Sequence, residues 1–442
     1  MRFGLAVFTT RAVNATSRRL GRGQGTVAGG RSGLKVDPQL LQHLTATRDV
    51  ALVSGTNGKT TTTRLLAVAL GASGERVVSN ETGSNMPPGH VAALAADRAA
   101  TRAVLEVDEI YLPRVLAATK PSVVVLLNLS RDQLDRTNEV RMVAGTWRAA
   151  LAAAPHVTVV ANADDPLVAW AAGAAARVQW VAAGLSWQLD AVGCPSCEGR
   201  VAFDAAGSWA CVTGCGFVRP DPMATMTVEP GGASHEGASY RGQWADGRDL
   251  PIDLVLPGRF NHANALMAAV AAEIFGVAAT DGLAAMAGID EVAGRFTTRM
   301  VAGVRTRLML AKNPAGWSEL LDLVGQDDGP IVISINARTA DGADPSWLWD
   351  VPFERLAPRV VVATGDRCRD LSVRLQYAGV AHTTVTDPKE AVQTARADYH
   401  GPVDRVDVIG NYTAFAELLA ASEAAPGPGP SVVASPGAEV AS

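Results

Sequence analysis

Val53-Ser-Gly-Thr-Asn-Gly-Lys-Thr-Thr61 is the stretch on which the reading of this chain turns. A short apolar segment, Asp49-Val-Ala-Leu-Val53, precedes it and an amphipathic run, Thr62-Thr-Arg-Leu-Leu-Ala-Val-Ala-Leu70, follows, so the order is strand, glycine-containing loop, helix. That is the layout of a phosphate cradle. Gly55 and Gly58 let successive N–H groups face an anion, and the helix starting near Lys59 adds its positive end. Lys59 then falls on the β- and γ-phosphates and the Thr60 hydroxyl on Mg²⁺. The strict GxxxxGK[ST] pattern is not met, because Val53 stands where its first glycine would be; a GT-x-GK-[ST] variant remains. A glycine turn capping an ordinary helix would explain the glycines but not Lys-Thr-Thr at the helix start. Nucleotide binding is the expectation, through Gly55, Thr56, Asn57, Gly58, Lys59, Thr60 and Thr61.

The chain has 442 residues, enough for two or three domains. With 48 % hydrophobic and 19 % charged residues it is globular in composition, and a net charge of −5 gives no electrostatic case for a nucleic-acid partner. Arginine far outnumbers lysine, so Lys35, Lys59, Lys120, Lys312 and Lys389 stand out. The N-terminal apolar run in Met1–Arg11 is too short for a secretory signal, and Arg18 and Arg19 follow it closely. Without a long uncharged apolar segment, the expectation is a cytoplasmic protein whose membrane association is peripheral.

Residues 1–48 form a leader with a helical patch near Pro38–Leu44, expected to pack on the nucleotide domain because so short a stretch is too small for a separate one. From 49 onward apolar strands alternate with Ala-rich helices, which argues for a parallel sheet covered on both faces; the strand candidates are Arg102–Val107, Ser122–Leu127 and Val157–Val160. Each ends on polar residues: Glu106 and Asp108, then Asn128, then Asn162, Asp164 and Asp165. Ligands of open α/β sheets lie beyond the carboxyl ends of the strands, so these groups are expected to converge on the phosphate loop, with Glu106 as a Mg²⁺ ligand. The simpler alternative is that they cap the following helices.

Between 188 and 222 the pattern breaks. Cys194-Pro-Ser-Cys197 and Cys211-Val-Thr-Gly-Cys215 hold four of the five cysteines, separated by 13 residues of β and turn composition. Two thiolate pairs from two tight knuckles make a closed tetrahedral site, so a structural zinc ribbon at about 190–220 is expected, with disulfides as the weaker alternative in a cytosolic chain. In Leu256–Ala269, Asn261 and Asn264 lie three apart, on one helix face near its start, where two amides can hold a nucleotide base or a loop. Gly294-Arg-Phe296 marks a hinge-like transition, and residues 300–420 read as a further α/β unit with strands at Arg307–Leu310, Ile331–Ile335, Val360–Ala363 and Val406–Ile409. Its polar loop Asn336–Asp350 holds three carboxylates and reads either as a site or as a turn over Trp347 and Trp349. The tail from about 423, rich in Pro, Gly, Ala and Ser, is expected to be disordered.

Gly55-Thr-Asn-Gly-Lys-Thr-Thr61, Glu106-Val-Asp-Glu109, Asn128-Leu-Ser-Arg-Asp-Gln-Leu-Asp135, Asn162-Ala-Asp-Asp165 and Gly258-Arg-Phe-Asn-His-Ala-Asn264 together resemble the ATPase domain of Mur ligases, a superfamily that includes folylpolyglutamate synthetase. Three features are similar to one branch, the MurT family of synthetase subunits of lipid II isoglutaminyl synthases. They are the four-Cys insertion, the missing N-terminal domain for a UDP precursor, and the C-terminal stretches Ala311–Gly316, Ala340–Trp347 and Asn411–Phe415. The implied organisation is a leader (1–48), an ATP-binding domain (49–298), a C-terminal α/β domain (299–422) and a tail (423–442). One departure is readable: amino-acid-adding Mur ligases use a carbamylated lysine as a metal ligand, but this chain has no lysine between Lys120 and Lys312, and Gln133 stands in place of their motif histidine.

The resemblance implies ATP-dependent amidation of the α-carboxylate of D-isoglutamate in the lipid II stem peptide, with ATP and Mg²⁺ as cofactors beside the structural Zn²⁺, and Lys59 and Glu106 as catalytic residues. Ammonia must come from elsewhere, since Cys368, the cysteine outside the ribbon, lacks a nucleophile-elbow context. A GatD-type glutamine amidotransferase partner is therefore expected, with Asp344, or else Asp350, completing its Cys-His pair. The rivals are an amino-acid-adding ligase of folylpolyglutamate type and a non-enzymatic nucleotide-binding scaffold.

Overall fold

The computed structural model describes residues 2–20, 26–80, 84–131, 140–230, 238–290 and 295–424. Gln133, Gly294 and the tail after Ala424 lie outside them. By its contacts the chain divides into two units, one of residues 1–293, 311–327 and 342–355, the other of residues 294–310, 328–341 and 356–442. The boundary expected near 298/299 is thus not a single crossing. The chain leaves the first unit, returns to it twice, and the 342–355 part of the Asp-rich loop packs with the nucleotide unit.

The first unit opens with three helices, α1 (Arg2–Arg19), α2 (Thr26–Val36) and α3 (Leu40–Thr45). There follow β1 (Asp49–Ser54), α4 (Lys59–Gly71), β2 (Val77–Ser79), α5 (Pro87–Ala96), β3 (Arg102–Glu106), α6 (Leu112–Thr119), β4 (Val123–Leu126), α7 (Val140–Ala152), β5 (Thr158–Asn162), α8 (Pro166–Ala172) and β6 (Arg177–Ala182). Strands β2, β3, β1, β4, β5 and β6 are parallel neighbours in that order. Val50–Val53 and Val123–Leu126 are buried along their whole length, as strands covered on both faces must be, which is why they read as continuous apolar runs. After the small hairpin β7 (Val201–Phe203) and β8 (Trp209–Cys211), β9 (Ala224–Pro230) joins β6 in parallel and β10 (Ala238–Trp244) and β11 (Asp249–Pro251) extend the sheet antiparallel. Helices α9 (Arg259–Ile274) and α10 (Ala279–Met286) complete this region, breaking at Gly276, whose φ of +80 ends the first. The chain passes from β1 to β2 and β3 on one side and then crosses to β4 on the other, so the end of β1 is the switch point of the sheet.

The leader packs by close approach. On α2, a Cβ at Gly29 or Gly33 would meet the side chains of Asn14 and Thr10 on α1 within about 2 Å, and one at Gly30 would meet the Pro88 carbonyl oxygen at 1.8 Å, so only glycine lets α2 sit between α1 and α5.

The second unit holds a seven-stranded sheet. Strands β12 (Phe296–Val301) and β13 (Val304–Leu310) form a hairpin; helix α11 (Pro314–Val324), which belongs to the first unit, intervenes; then come β14 (Ile331–Ser334), β15 (Val361–Thr364), α12 (Cys368–Tyr377), β16 (His382–Thr384), α13 (Pro388–Asp398), β17 (Val406–Gly410), α14 (Tyr412–Ala420) and β18 (Glu423–Ala424). The order is β16-β15-β14-β17-β13-β12-β18, with β13 to β17 parallel. Glu423 and Ala424, which fall within the expected tail, pair with Met300 and Arg299. Across β13 and β17, Arg307 clamps the buried Asp407 through Nε and Nη2 at 2.8 and 2.7 Å.

Candidate nucleotide site and zinc ribbon

Strand β1 delivers the loop 55–58 to the switch point, and the segment after the neighbouring strand β4 holds it there. Thr56 N–H donates to the Asn128 carbonyl at 2.9 Å, its hydroxyl donates to Ser130 O at 3.0 Å, and Asn57 N–H donates to Asn128 Oδ1 at 2.9 Å. Gly58 has φ +84, and a Cβ on it would lie 2.8 Å from Asn264 Oδ1, so both conformation and space demand glycine. Lys59, 2 % exposed, directs Nζ to the carbonyls of Gly55 (2.5 Å) and Thr56 (3.2 Å) and to Glu109 Oε2 at 2.9 Å. Lys59 and Glu109 therefore form a buried ion pair beneath the loop. No local pattern marks Glu109 as this partner, although it is the last acid of Glu106-Val-Asp-Glu109.

Glu106 closes β3, the strand beside β1, and is almost wholly buried. Its backbone is fixed by Asn80 and by His90, whose Nε2 lies 2.7 Å from Glu106 O. Its carboxylate is not: Oε1 is 3.4 Å from Asn85 Nδ2, and Oε2 is buried without a hydrogen-bond partner. A buried anionic oxygen left unpaired is unfavourable unless a cation completes it, so Glu106 fits a metal ligand. Burial pushes the His90 imidazole down to about 4, so it is neutral at pH 7.

The strand-end groups do not all converge on the loop, which corrects the expectation for two of them. Asn128 does converge. Asp165 caps α8, accepting from Leu167 and Val168 N–H, and burial raises it to about 6. Asp164 binds Gly184 N–H and Arg219 at 2.6 Å, and Asn162 donates to the Gly184 carbonyl. Asp164 and Asn162 thus hold the turn after β6, while Asp165 caps α8, as the capping alternative anticipated.

Two clefts flank the loop, of about 370 and 360 Å³. Asn128, Gly184 and Glu319 line both; Asn162, Arg259 and Asn264 line the first, and Asn57 and Trp187 the second. Asn261 instead spends its amide on the Pro257 carbonyl, at 2.5 Å, so of the two amides Asn264 faces a cleft and Asn261 holds a loop. Asn57 and Asn313 exchange amide contacts at 3.2 and 3.3 Å, and Asn313 also caps α11. Glu319, on α11, accepts from the Ser186 hydroxyl at 2.6 Å, and desolvation raises its carboxyl. Asn313 was legible as a helix cap, but nothing local marked its pairing with Asn57 or the placement of Glu319.

The four ribbon sulfurs lie within 4.8 Å of one another, with Cys194–Cys215 at 3.7 Å and Cys197–Cys211 at 3.5 Å. Four thiolates about 2.3 Å from a tetrahedral ion are roughly 3.8 Å apart, so the cluster fits Zn²⁺ and lacks the bonded distance of a disulfide. A hydrogen bond with the Thr213 hydroxyl draws the Cys211 thiol down to about 6, toward the thiolate a metal needs. Hairpin β7–β8 carries the second knuckle, and Trp209 anchors it, packing with Phe217 and donating Nε1–H to the Ala163 carbonyl at 3.0 Å.

In the Asp-rich loop the three carboxylates have separate tasks. Asp341, in the second unit, caps α14 through Thr413. Asp344 is exposed and accepts from Ser346 N–H at 2.8 Å. Asp350 is half-exposed and lies 3.5 Å from Arg131, which Asp190 holds at 2.6 Å. Trp347 is buried against Trp317, whereas Trp349 is 54 % exposed.

Comparison with known proteins accords with this geometry. Residues 53–186 match the family model of the Mur ligase middle domain, and residues 310–415 that of the MurT ligase C-terminal domain. The chain is 28 % identical to the "Lipid II isoglutaminyl synthase (glutamine-hydrolyzing) subunit MurT" of Streptococcus pneumoniae and 29 % identical to that of Staphylococcus aureus, covering 95 % of this chain and 97 % of each relative. Among solved structures it is similar in fold to a pseudomurein peptide ligase type C from Methanothermus fervidus (TM-score 0.65, 19 % identity, 87 % of this chain and 80 % of that one). It is also similar to the Mycobacterium tuberculosis folylpolyglutamate synthase complexed with ADP (TM-score 0.58, 19 % identity, 86 % and 91 %). The chain thus resembles MurT subunits along almost its whole length, with a match to the Mur ligase middle domain and another to the MurT ligase C-terminal domain.

Proposed function

We propose that this chain is the synthetase subunit that amidates the α-carboxylate of D-isoglutamate in the lipid II stem peptide, using ATP and ammonia delivered by a GatD-type glutaminase in a heterodimer at the cytoplasmic face of the membrane. The observation that supports it most is the likeness to named MurT subunits along almost the whole chain, Asp-rich loop included. A carboxylate is a poor electrophile, so the γ-phosphoryl group of ATP is transferred to it. Ammonia then attacks the acyl carbon and inorganic phosphate leaves. The chain's part in the first step is positioning and charge neutralisation. The loop amides of 55–58 and Lys59 hold the phosphates, with the γ-phosphate taking over from Glu109 as the counter-charge of Nζ. Asn264 and Glu319 line the cleft for the rest of the nucleotide. A magnesium ion held by Glu106 and the Thr60 hydroxyl would supply further charge neutralisation, and a zinc ion in the four-Cys ribbon, with no open position, a structural support.

An acid that orients a partner's histidine must itself be fixed and reachable. Asp350 has Arg131 to fix it and the exposed Trp349 beside it, whereas Asp344 is committed to its own turn; these contacts favour Asp350 over Asp344, reversing the order suggested by the sequence. Supplying the co-purified complex with lipid II, ATP and glutamine should give product one dalton lighter, and its absence with an active glutaminase would refute the reading. In that complex Asp350→Asn should abolish glutamine hydrolysis and Asp344→Asn should spare it. The amino-acid-adding alternative instead requires ATP turnover stimulated by an amino acid without a partner.

A further inference from the structure

Helix α1 is apolar on two opposite sides. Ala6, Val7, Thr10 and Asn14 are buried against the rest of the first unit, Ala6 and Val7 in its main core with Leu40, Leu41 and Leu44. Leu5, Phe8 and Ala12, spaced three and four apart, lie on the outward side, with Leu5 58 % and Phe8 69 % exposed; Leu20, just past the helix, is 62 % exposed. The inner side already has α2, α3 and α5 against it, so folding of this unit does not account for the outer one. Arg2, Arg11, Arg18 and Arg19 are exposed around the same helix, which contains no acid, and Arg31 and Lys35 are exposed on α2. Residues 1–48 carry eight Lys and Arg against the single acid Asp37, in a chain whose net charge is −5.

We propose that this outer face, Leu5 and Phe8 within a frame of arginines, docks the protein on an anionic phospholipid surface. Charge complementarity and the arrangement within the face carry the choice. A helix held parallel to a bilayer places its apolar side chains at the acyl boundary and its cations among the phosphates. A nucleic-acid reader would present cations where Leu5 and Phe8 stand. The helix holds too many arginines to insert across the bilayer, and no described helix is long and apolar enough to span one. The inference is independent of the proposed reaction, since it concerns where the chain is held and not what it catalyses.

Co-sedimentation of the full chain with vesicles tests it directly, comparing phosphatidylcholine alone with vesicles containing about one-third phosphatidylglycerol. The expected result is at least tenfold tighter binding to the anionic vesicles, weakening as salt is raised. Each arginine near such a surface is worth about a fivefold factor, so R18E/R19E should weaken binding by roughly thirtyfold or more. L5S/F8S should weaken it at least tenfold while thermal unfolding and nucleotide binding stay as in wild type, because neither side chain supports the fold. Equal binding to both kinds of vesicle, or wild-type binding by L5S/F8S, would overturn the proposal. So would a change in oligomeric state of L5S/F8S in the absence of lipid, which would assign the face to a second copy of the chain.

Discussion

Glu109→Gln is the sharpest perturbation of the nucleotide loop. The pair it breaks has Lys59 Nζ 2.9 Å from Glu109 Oε2, with the side chains 2 % and 12 % exposed. Removing one partner of a buried pair leaves the other charge uncompensated and costs about 3–5 kcal/mol. Because Nζ keeps the Gly55 and Thr56 carbonyls at 2.5 and 3.2 Å, the lower end, about 3 kcal/mol, is expected. A nucleotide should offset the loss, since its phosphates give Lys59 a new counter-charge. The assay is urea unfolding of the purified chain, with and without a saturating Mg²⁺ complex of a non-hydrolysable ATP analogue. Without nucleotide the variant should lose about 3 kcal/mol; with it most of that loss should vanish, so the analogue stabilises the variant more than wild type. Adding Lys59→Met to Glu109→Gln should cost far less than the sum of the single changes, because no orphaned charge remains. A variant as stable as wild type without nucleotide, or one equally weakened in both conditions, would refute the pairing.

Other outcomes follow from the same coordinates. His90 has its folded value depressed by burial from 6.5 to about 4. The folded state therefore favours the neutral ring, its contribution is complete above pH 6.5, and about 3 kcal/mol is lost as pH falls from 6.5 to 4. His90→Gln, which can still donate to the Glu106 carbonyl, should flatten that part of the stability profile; an unchanged slope would show that another group titrates. The ribbon should release one equivalent of zinc per chain when its thiols are titrated with a mercurial. Cys211→Ser should lower the zinc content and the melting temperature while sparing nucleotide affinity, because none of the four cysteines lines either cleft. Zinc-free wild type of equal stability would remove the structural role.

Much of the architecture could be read locally. Strands covered on both faces announce themselves as unbroken apolar runs, and β1, β3, β4 and β5 lie where Val and Leu cluster. The antiparallel extension β9–β11 is absent from the strand candidates although Ala224, Met226 and Val228 alternate with Thr225, Thr227 and Glu229, and Tyr240 and Trp244 are buried at alternate positions of β10; such short strands carry no continuous apolar run to mark them. The leader shows one helical patch in its sequence, although three helices form there among the described residues. Glycines at 29, 30 and 33 lower helix propensity, and the value of their small size emerges only when α1 and α5 press on them.

The sequence by itself determined the phosphate loop, because its chemistry depends on consecutive residues, and it determined the four-Cys site, because knuckle spacing fixes where the sulfurs point. Only the tertiary structure decided the partners. Lys59 and Glu109 are 50 residues apart, Asn57 and Asn313 are 256 apart, and Asp350 takes its orientation from an arginine on another strand's end. A charge or an amide is satisfied by whatever the packed sheet brings within about 3 Å, and no local pattern records that distance.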